Sequence, residues 1–275
     1  MSITSEAEPL SKIKSKQIVK LLNSGERLDG RSLLDYRDIQ IETGVIDKAE
    51  GSAIVSLGNT KVLVGVKVEL GEPYPDLPDQ GALTVNAEFV PLAYRYFEPG
   101  PPDENSIELA RVVDRGIREA KTIEMDKLVL ISGRLVYVVF VDVYILNHDG
   151  NLIDASGLAA IAALLNTKLP KYEVKENGEA KKTSEYDSLP IKDCPIPVTV
   201  AKINDKILVD PTLEEENIAT AKLTITTTKD GKICAIQKSG IGTFTFKEVL
   251  EAQKLAKEKA RDIRKRFFKE WCLGE

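Results

Sequence analysis

Two acids and a row of arginines are the residues best equipped for chemistry. Asp210 and Glu216 stand at the start and end of Asp-Pro-Thr-Leu-Glu-Glu-Glu, directly after the apolar triplet Ile207-Leu208-Val209. Carboxylates so spaced at a strand end can hold a divalent ion or transfer a proton, and three consecutive glutamates equally suit a solvated turn. Arg111, Arg115 and Arg118 recur at i, i+4 and i+7, which puts them on one helix face. Such a row fits nucleic-acid phosphates. It also fits ion pairing along the helix, because Asp114 precedes Arg118 by four and Arg115 precedes Glu119 by four. Asp154 to Ala160 reads as a small-residue turn into a helix, where free backbone N–H groups can receive a phosphate. No Lys or Arg follows in its first turn, so Asp154 or Ser156 is expected simply to cap that helix. His148, in Asn-His-Asp-Gly, reads as a turn residue after a strand.

Composition removes many alternatives. The 275 residues contain one His and three Cys, Cys194, Cys234 and Cys272. That excludes two-His zinc helices and leaves no CxxC or disulfide framework. No metal and no cofactor is expected, and no GxSxG elbow supports a serine hydrolase. No apolar run is long enough to span a membrane, and the first thirty residues lack a signal-peptide core, so a reducing, cytoplasmic setting is expected. The net charge of −5 conceals a basic segment at 247–270, with nine Lys/Arg against five Asp/Glu. This is either a solvated helix face or a contact for RNA or a partner.

The positioning elements follow from periodicity. Leu10, Ile13, Ile18, Leu21 and Leu22 mark an N-terminal helix, with Ser5 and Glu8 as a capping box and Gly25 as its stop. Strands are expected at 39–45, 52–57 and 61–70, the last two joined at Gly58-Asn59, and again at 82–90. A helix over 104–124 carries the stripe Leu109, Val113, Ile117 and Ala120. The runs 128–131 and 135–146 are too continuously apolar for a strand with a wet face, so they belong at a sheet centre. A buried helix is expected over 156–169, entered through Asp154 and Gly157, and 170–193 reads as a surface linker with a turn at Asn177-Gly178. Four short strands follow, then a helix striped by Val249, Ala252, Ala256, Ala260, Ile263, Phe267 and Trp271. The echo of Asn59-Thr-Lys-Val-Leu-Val in Asn204-Asp-Lys-Ile-Leu-Val points to two similar α+β units. The expected division is a helix and extension at 1–32, a first unit with its linker at 33–189, and a second unit at 190–275.

Several of these segments together resemble the RNase PH family: Glu26-Arg-Leu-Asp-Gly-Arg31 with Asp35-Tyr-Arg37, the Gly51-Ser52 to Val62 hairpin, Ile117-Arg-Glu119, and Asp210 to Glu216. Order and spacing match from about residue 26 to 260. In detail the chain is similar to the non-catalytic RNase PH-like subunits of the archaeal exosome ring. The resemblance implies two S5-like βαβ-type units related by duplication. It also implies phosphorolytic degradation of RNA from its 3′ end in active members. Their phosphate turn, an aspartate, two small residues and an arginine, is matched here by Asp154, Ala155, Ser156 and Gly157 with Leu158 in the cation's place, and Glu108-Leu109 stands where active subunits carry paired arginines. Asp210 matches the family's catalytic aspartate and Glu216 its companion acid. An acid without an anion site cannot perform phosphorolysis. The implied role is therefore a subunit inactive alone, with no catalytic residues of its own. It would pair with an active RNase PH-like subunit in a ring of three heterodimers, beneath RNA-binding cap subunits, with Arg111, Arg115 and Arg118 on RNA. The rivals are a self-sufficient phosphorolytic exoribonuclease and a GHMP-type small-molecule kinase.

Overall fold

The computed structural model describes residues 12–174 and 180–269. Helix α1, Lys12–Ser24, is followed by strands β1 (Ile39–Thr43), β2 (Gly51–Leu57), β3 (Thr60–Gly71) and β4 (Ala82–Phe89). Helix α2 (Glu104–Glu119), β5 (Val129–Ile131) and β6 (Leu135–Asn147) complete the first sheet, ordered β1-β2-β3-β6-β4 with β5 on β6. All pairs are antiparallel except β4 with β6, which α2 joins by a crossover. Helix α3 (Leu152–Leu165) leads to a hairpin, β7 (Lys168–Val174) and β8 (Ala180–Ser188). The second unit holds β9 (Ile196–Ile203), β10 (Lys206–Val209), α4 (Leu213–Ile218), β11 (Ala221–Thr227), β12 (Ile233–Ser239) and α5 (Phe246–Phe267). Its sheet is antiparallel throughout, ordered β10-β9-β11-β12.

The layers run sheet, helix, sheet, helix. Every α3 residue from Ile153 to Leu165 is buried, because α3 packs on β2 and β3 on one side and on β9 on the other. Its small side chains allow that approach: a Cβ at Gly157 would come within 2.5 Å of Pro197 on β9. Strand β9 is covered on both faces, since α5 packs across β9 and β11 opposite α3. One apolar cluster therefore runs through both units, from Val64 and Val141 to Ile225 and Ala256. Burying this shared core is the main stabilising contribution. The two echoed sequences are the corresponding β2–β3 and β9–β10 hairpins, and each turn has a residue of left-handed backbone, Gly58 (φ 56°) and Asn204 (φ 51°).

Several expectations need correcting. The presumed linker at 170–193 is largely the β7–β8 hairpin; its strands are charged and mostly exposed, so they carry no alternation to read. Its expected Asn177-Gly178 turn lies outside the described residues, as do Ser5, Glu8, Leu10, Trp271 and Cys272. Helix α2 stops at Glu119, where Lys121 takes a left-handed φ of 53°. Helix α1 buries Ile18 and Leu22 against Ala201, Ile203 and Leu208 of the second unit, whereas Ile13 is 81% exposed. Central strand β6 has one buried face, but Val138, Phe140, Asp142, Tyr144 and Leu146 on the other are only partly covered.

Candidate functional site

Residues from four segments meet where β10 ends. Asp210, at the end of β10, has a left-handed backbone (φ 50°) and a fully buried carboxylate. Arg37 grips it from both sides, Nε to Oδ2 at 2.9 Å and a terminal nitrogen to Oδ1 at 2.8 Å, and its backbone N–H donates to Oδ2 at 2.9 Å. Arg31 donates to Oδ2 at 2.9 Å, and Asn151 Nδ2 to Oδ1 at 2.8 Å. Burial pushes this carboxyl's pKa up, but the hydrogen bonds and charge of Arg37 outweigh burial and hold it below the ordinary aspartate value. Asp210 is thus a fully engaged anion with no lone pair facing solvent, a poor proton carrier.

The arginines of the opening motif explain the arrangement. Arg27, with a fully buried side chain, donates to the carbonyls of Val209 (2.8 Å) and Asp210 (2.7 Å) and pairs with both carboxylate oxygens of Glu215. Glu215 in turn accepts from the Thr212 N–H at 2.8 Å, completing the capping box of α4. Arg37 also donates to the carbonyl of Asp149 at 2.7 Å, which ties this loop to the turn before α3.

That turn lies upstream of the expected one. Helix α3 begins at Leu152 behind Asn151, whose φ is 51° and whose side chain makes no cap. Asp154 therefore falls in the first turn, and Ser156, Gly157 and Leu158 are buried further inside the helix. Leu158 is a core residue, fully buried, and the segment that enters the helix is Asp149-Gly150-Asn151-Leu152, which also lacks a cation. Asp154 does not cap; it accepts from Tyr36 Oη (2.7 Å), Asn151 Nδ2 (2.9 Å), and the Thr199 N–H (3.0 Å) and hydroxyl (2.7 Å). Burial outweighs these donors and raises its pKa to about 6.

The mouth of α3 is already filled by an anion from within. The Asn151 N–H donates to Glu216 Oε1 at 3.2 Å, and Lys222 neutralises the same oxygen at 3.0 Å. Glu216 also lines a groove of about 690 Å³ between the two units, together with Glu88, Glu98, Asp103, Asp142 and Lys222. His148 lines it too, stacked on Phe97 at 5.6 Å and edge-on to Tyr94 at 5.3 Å. It lies in the loop after β6, half-buried, and burial lowers its pKa, so the ring is neutral at pH 7.

The arginine row divides. All three side chains are exposed on α2, but Arg118 pairs with Asp114 at 2.8 Å and donates to the Leu83 carbonyl at 3.1 Å. Arg111 and Arg115 make no hydrogen bond or ion pair among the described residues, and the anticipated pair of Arg115 with Glu119 is not formed. Glu108 accepts from Gln237 Nε2 of β12 at 3.1 Å, and Leu109 is buried in the core. Residue types alone did not assign roles to Arg27, Arg31, Arg37, Asn151 and Glu215. The available signal was the clustering of Arg27, Arg31 and Arg37 in one segment ahead of β1. Among the described residues no group of three or more His, Cys, Asp or Glu could hold a metal, and no helix is long and apolar enough to cross a membrane.

Comparison with known proteins agrees along nearly the whole chain. Residues 35–170 match domain 1 of the RNase PH, or 3′ exoribonuclease, family, and residues 193–259 match domain 2. The chain is 56% identical to the exosome complex component Rrp42 of Thermococcus gammatolerans, over 95% of this chain and 96% of that protein. It is 55% identical to the same component of Thermococcus kodakarensis, over 96% and 98%. Among solved structures it is similar to a chain of the Archaeoglobus fulgidus exosome with RNA bound to the active site, with a TM-score of 0.86 and 50% identity over 93% of this chain and 98% of that one.

Proposed function

From the premise that this chain belongs to the RNase PH-type 3′ exoribonuclease family, we propose that it is an exosome subunit without phosphorolytic activity of its own. On this reading it pairs with an active RNase PH-like subunit in a cytoplasmic ring of three heterodimers, under RNA-binding caps, and supports the partner's site. The observation that carries the reading is the entry to α3, Asp149-Gly150-Asn151-Leu152, which has no cation to neutralise a phosphate. A helix N-terminus is where a phosphate nucleophile would be received, and a dianion there needs a neighbouring cation. Two carboxylates on the groove wall, Glu88 and Glu98, would repel an incoming dianion.

Two other features support pairing and RNA contact. Strand β6 is apolar on both faces apart from Asp142, yet one of them is only partly covered, as expected of a strand that a neighbouring subunit completes. Arg111 and Arg115 stand exposed with their charge uncommitted among the described residues, and they are the residues we assign to RNA phosphates, with Arg118 as a lesser contributor. Backbone contacts of this kind give little sequence preference and a marked salt dependence.

Reconstitution tests the assignment. Mixing the chain with an active RNase PH-like exosome subunit should give a discrete heteromeric ring by native mass measurement. Release of nucleoside diphosphates should then be faster than with the active subunit alone. A chain that stays separate, or a ring no faster than the active subunit, would contradict it.

A further inference from the structure

We propose that the groove between the two units binds a linear organic polycation of the polyamine class, ammonium groups joined by methylene chains. Among the described residues its wall carries five carboxylates, Glu88, Glu98, Asp103, Asp142 and Glu216, against one ammonium, Lys222. That ammonium is already bound to Glu216. Glu88 and Glu98 are exposed and make no hydrogen bond or ion pair among the described residues, so their charge is free for a ligand.

The arrangement selects an extended cation over a compact one. No three acidic, His or Cys side chains among the described residues converge closely enough for a metal ion; the carboxylates are distributed along a cavity of about 690 Å³. Between them the wall is aromatic and aliphatic, with Tyr94, Tyr96, Phe97 and Pro99. Methylene spacers can lie against that surface while ammonium groups meet carboxylates and ring faces. The Tyr96 ring already attracts a cation within the chain, for the Arg95 guanidinium sits 4.9 Å from its centroid. A phosphate-bearing ligand would meet repulsion from every carboxylate on the wall.

Equilibrium dialysis of the full chain against labelled spermidine at about 0.15 M salt, where diffuse attraction is screened, tests this. Saturable binding of one spermidine per chain is expected, and Mg²⁺ at equal ionic strength should not displace it. The double variant Glu88→Gln/Glu98→Gln should weaken binding by about tenfold or more. Glu251→Gln/Glu258→Gln, the same charge change on the exposed face of α5, should change it by less than about twofold. Absence of saturable binding, equal weakening by both double variants, or ready displacement by Mg²⁺ would overturn the proposal. Phosphorolysis is read from nucleoside diphosphate release, so failure here leaves the subunit assignment intact.

Discussion

Six arginines divide into two sets with opposite fates. Arg27, Arg31 and Arg37 turn inward from one loop and are consumed by Asp210, Glu215 and backbone carbonyls. Arg111, Arg115 and Arg118 project from α2 into solvent, and only Arg118 has a carboxylate partner among the described residues. The contrast shows that a guanidinium's role is set by what surrounds it. Three donors around a buried acid make a clamp between units; a solvated row on a helix keeps its charge for an external polyanion.

The comparison can be broken most forcefully from the buried side. Removing one partner of a buried ion pair strands the other, a loss of about 3–5 kcal/mol. Asp210→Ala, which strands Arg31 and Arg37, should lower stability by that amount in urea unfolding; a loss under about 1 kcal/mol would show the clamp to be ornamental. Next comes pH. Asp154 has its pKa raised from 3.8 to about 6 by burial, so its contribution is fully present below about pH 4 and is lost as pH rises through about 6. Asp210, its pKa lowered by Arg37 against burial, has the reverse sign: its contribution is present above 3.8 and lost as pH falls through its folded value. Asp154→Asn should therefore remove about 2–3 kcal/mol of the stability change between pH 4 and 7, measured by unfolding at a series of pH values. An unchanged slope would mean that Asp154 is not the titrating group.

The exposed set should respond in binding rather than in stability. In the assembled ring, Arg111→Glu/Arg115→Glu should weaken RNA binding by about tenfold or more. It should also flatten the salt dependence by roughly 1.4 in log–log slope, about 0.7 for each lost single-strand phosphate contact. Stability should shift by no more than about 0.5 kcal/mol. Unchanged affinity would make the row surface only. The smallest effect is expected for Arg118→Ala, because Asp114 already occupies its charge: about twofold in RNA affinity, with about 0.5 kcal/mol of stability from the lost helix pair. An effect as large as that of the double variant would erase the distinction between the two arginines and their paired neighbour.

Local patterns were legible and long-range ones were not. The α2 and α5 stripes and the two hairpins joined by the Asn59 and Asn204 echo follow from spacing, because burial of one face imposes a period; α3 shows instead as a continuous apolar run, because it is buried all round. The β7–β8 hairpin left no such trace, since neither of its faces is buried in a regular alternation. The start of α3 was misplaced because Asn151 enters it in a left-handed conformation without a side-chain cap, while Asp154, which looks like a cap, bonds Thr199 across to the second sheet. The pairing of Arg27 with Glu215 joins positions 188 residues apart, which no local rule reaches. The family resemblance located the segments that build the site, and the geometry showed that Asp210 is clamped and that Glu216 sits where an anion would bind.

The most direct test is to incubate the purified chain, without a partner subunit, with single-stranded RNA and inorganic phosphate and to follow nucleoside diphosphates. The account predicts none above the background of an Asp210→Asn preparation made in parallel. Sustained release by the unmodified chain, dependent on phosphate and absent from the variant, would contradict it.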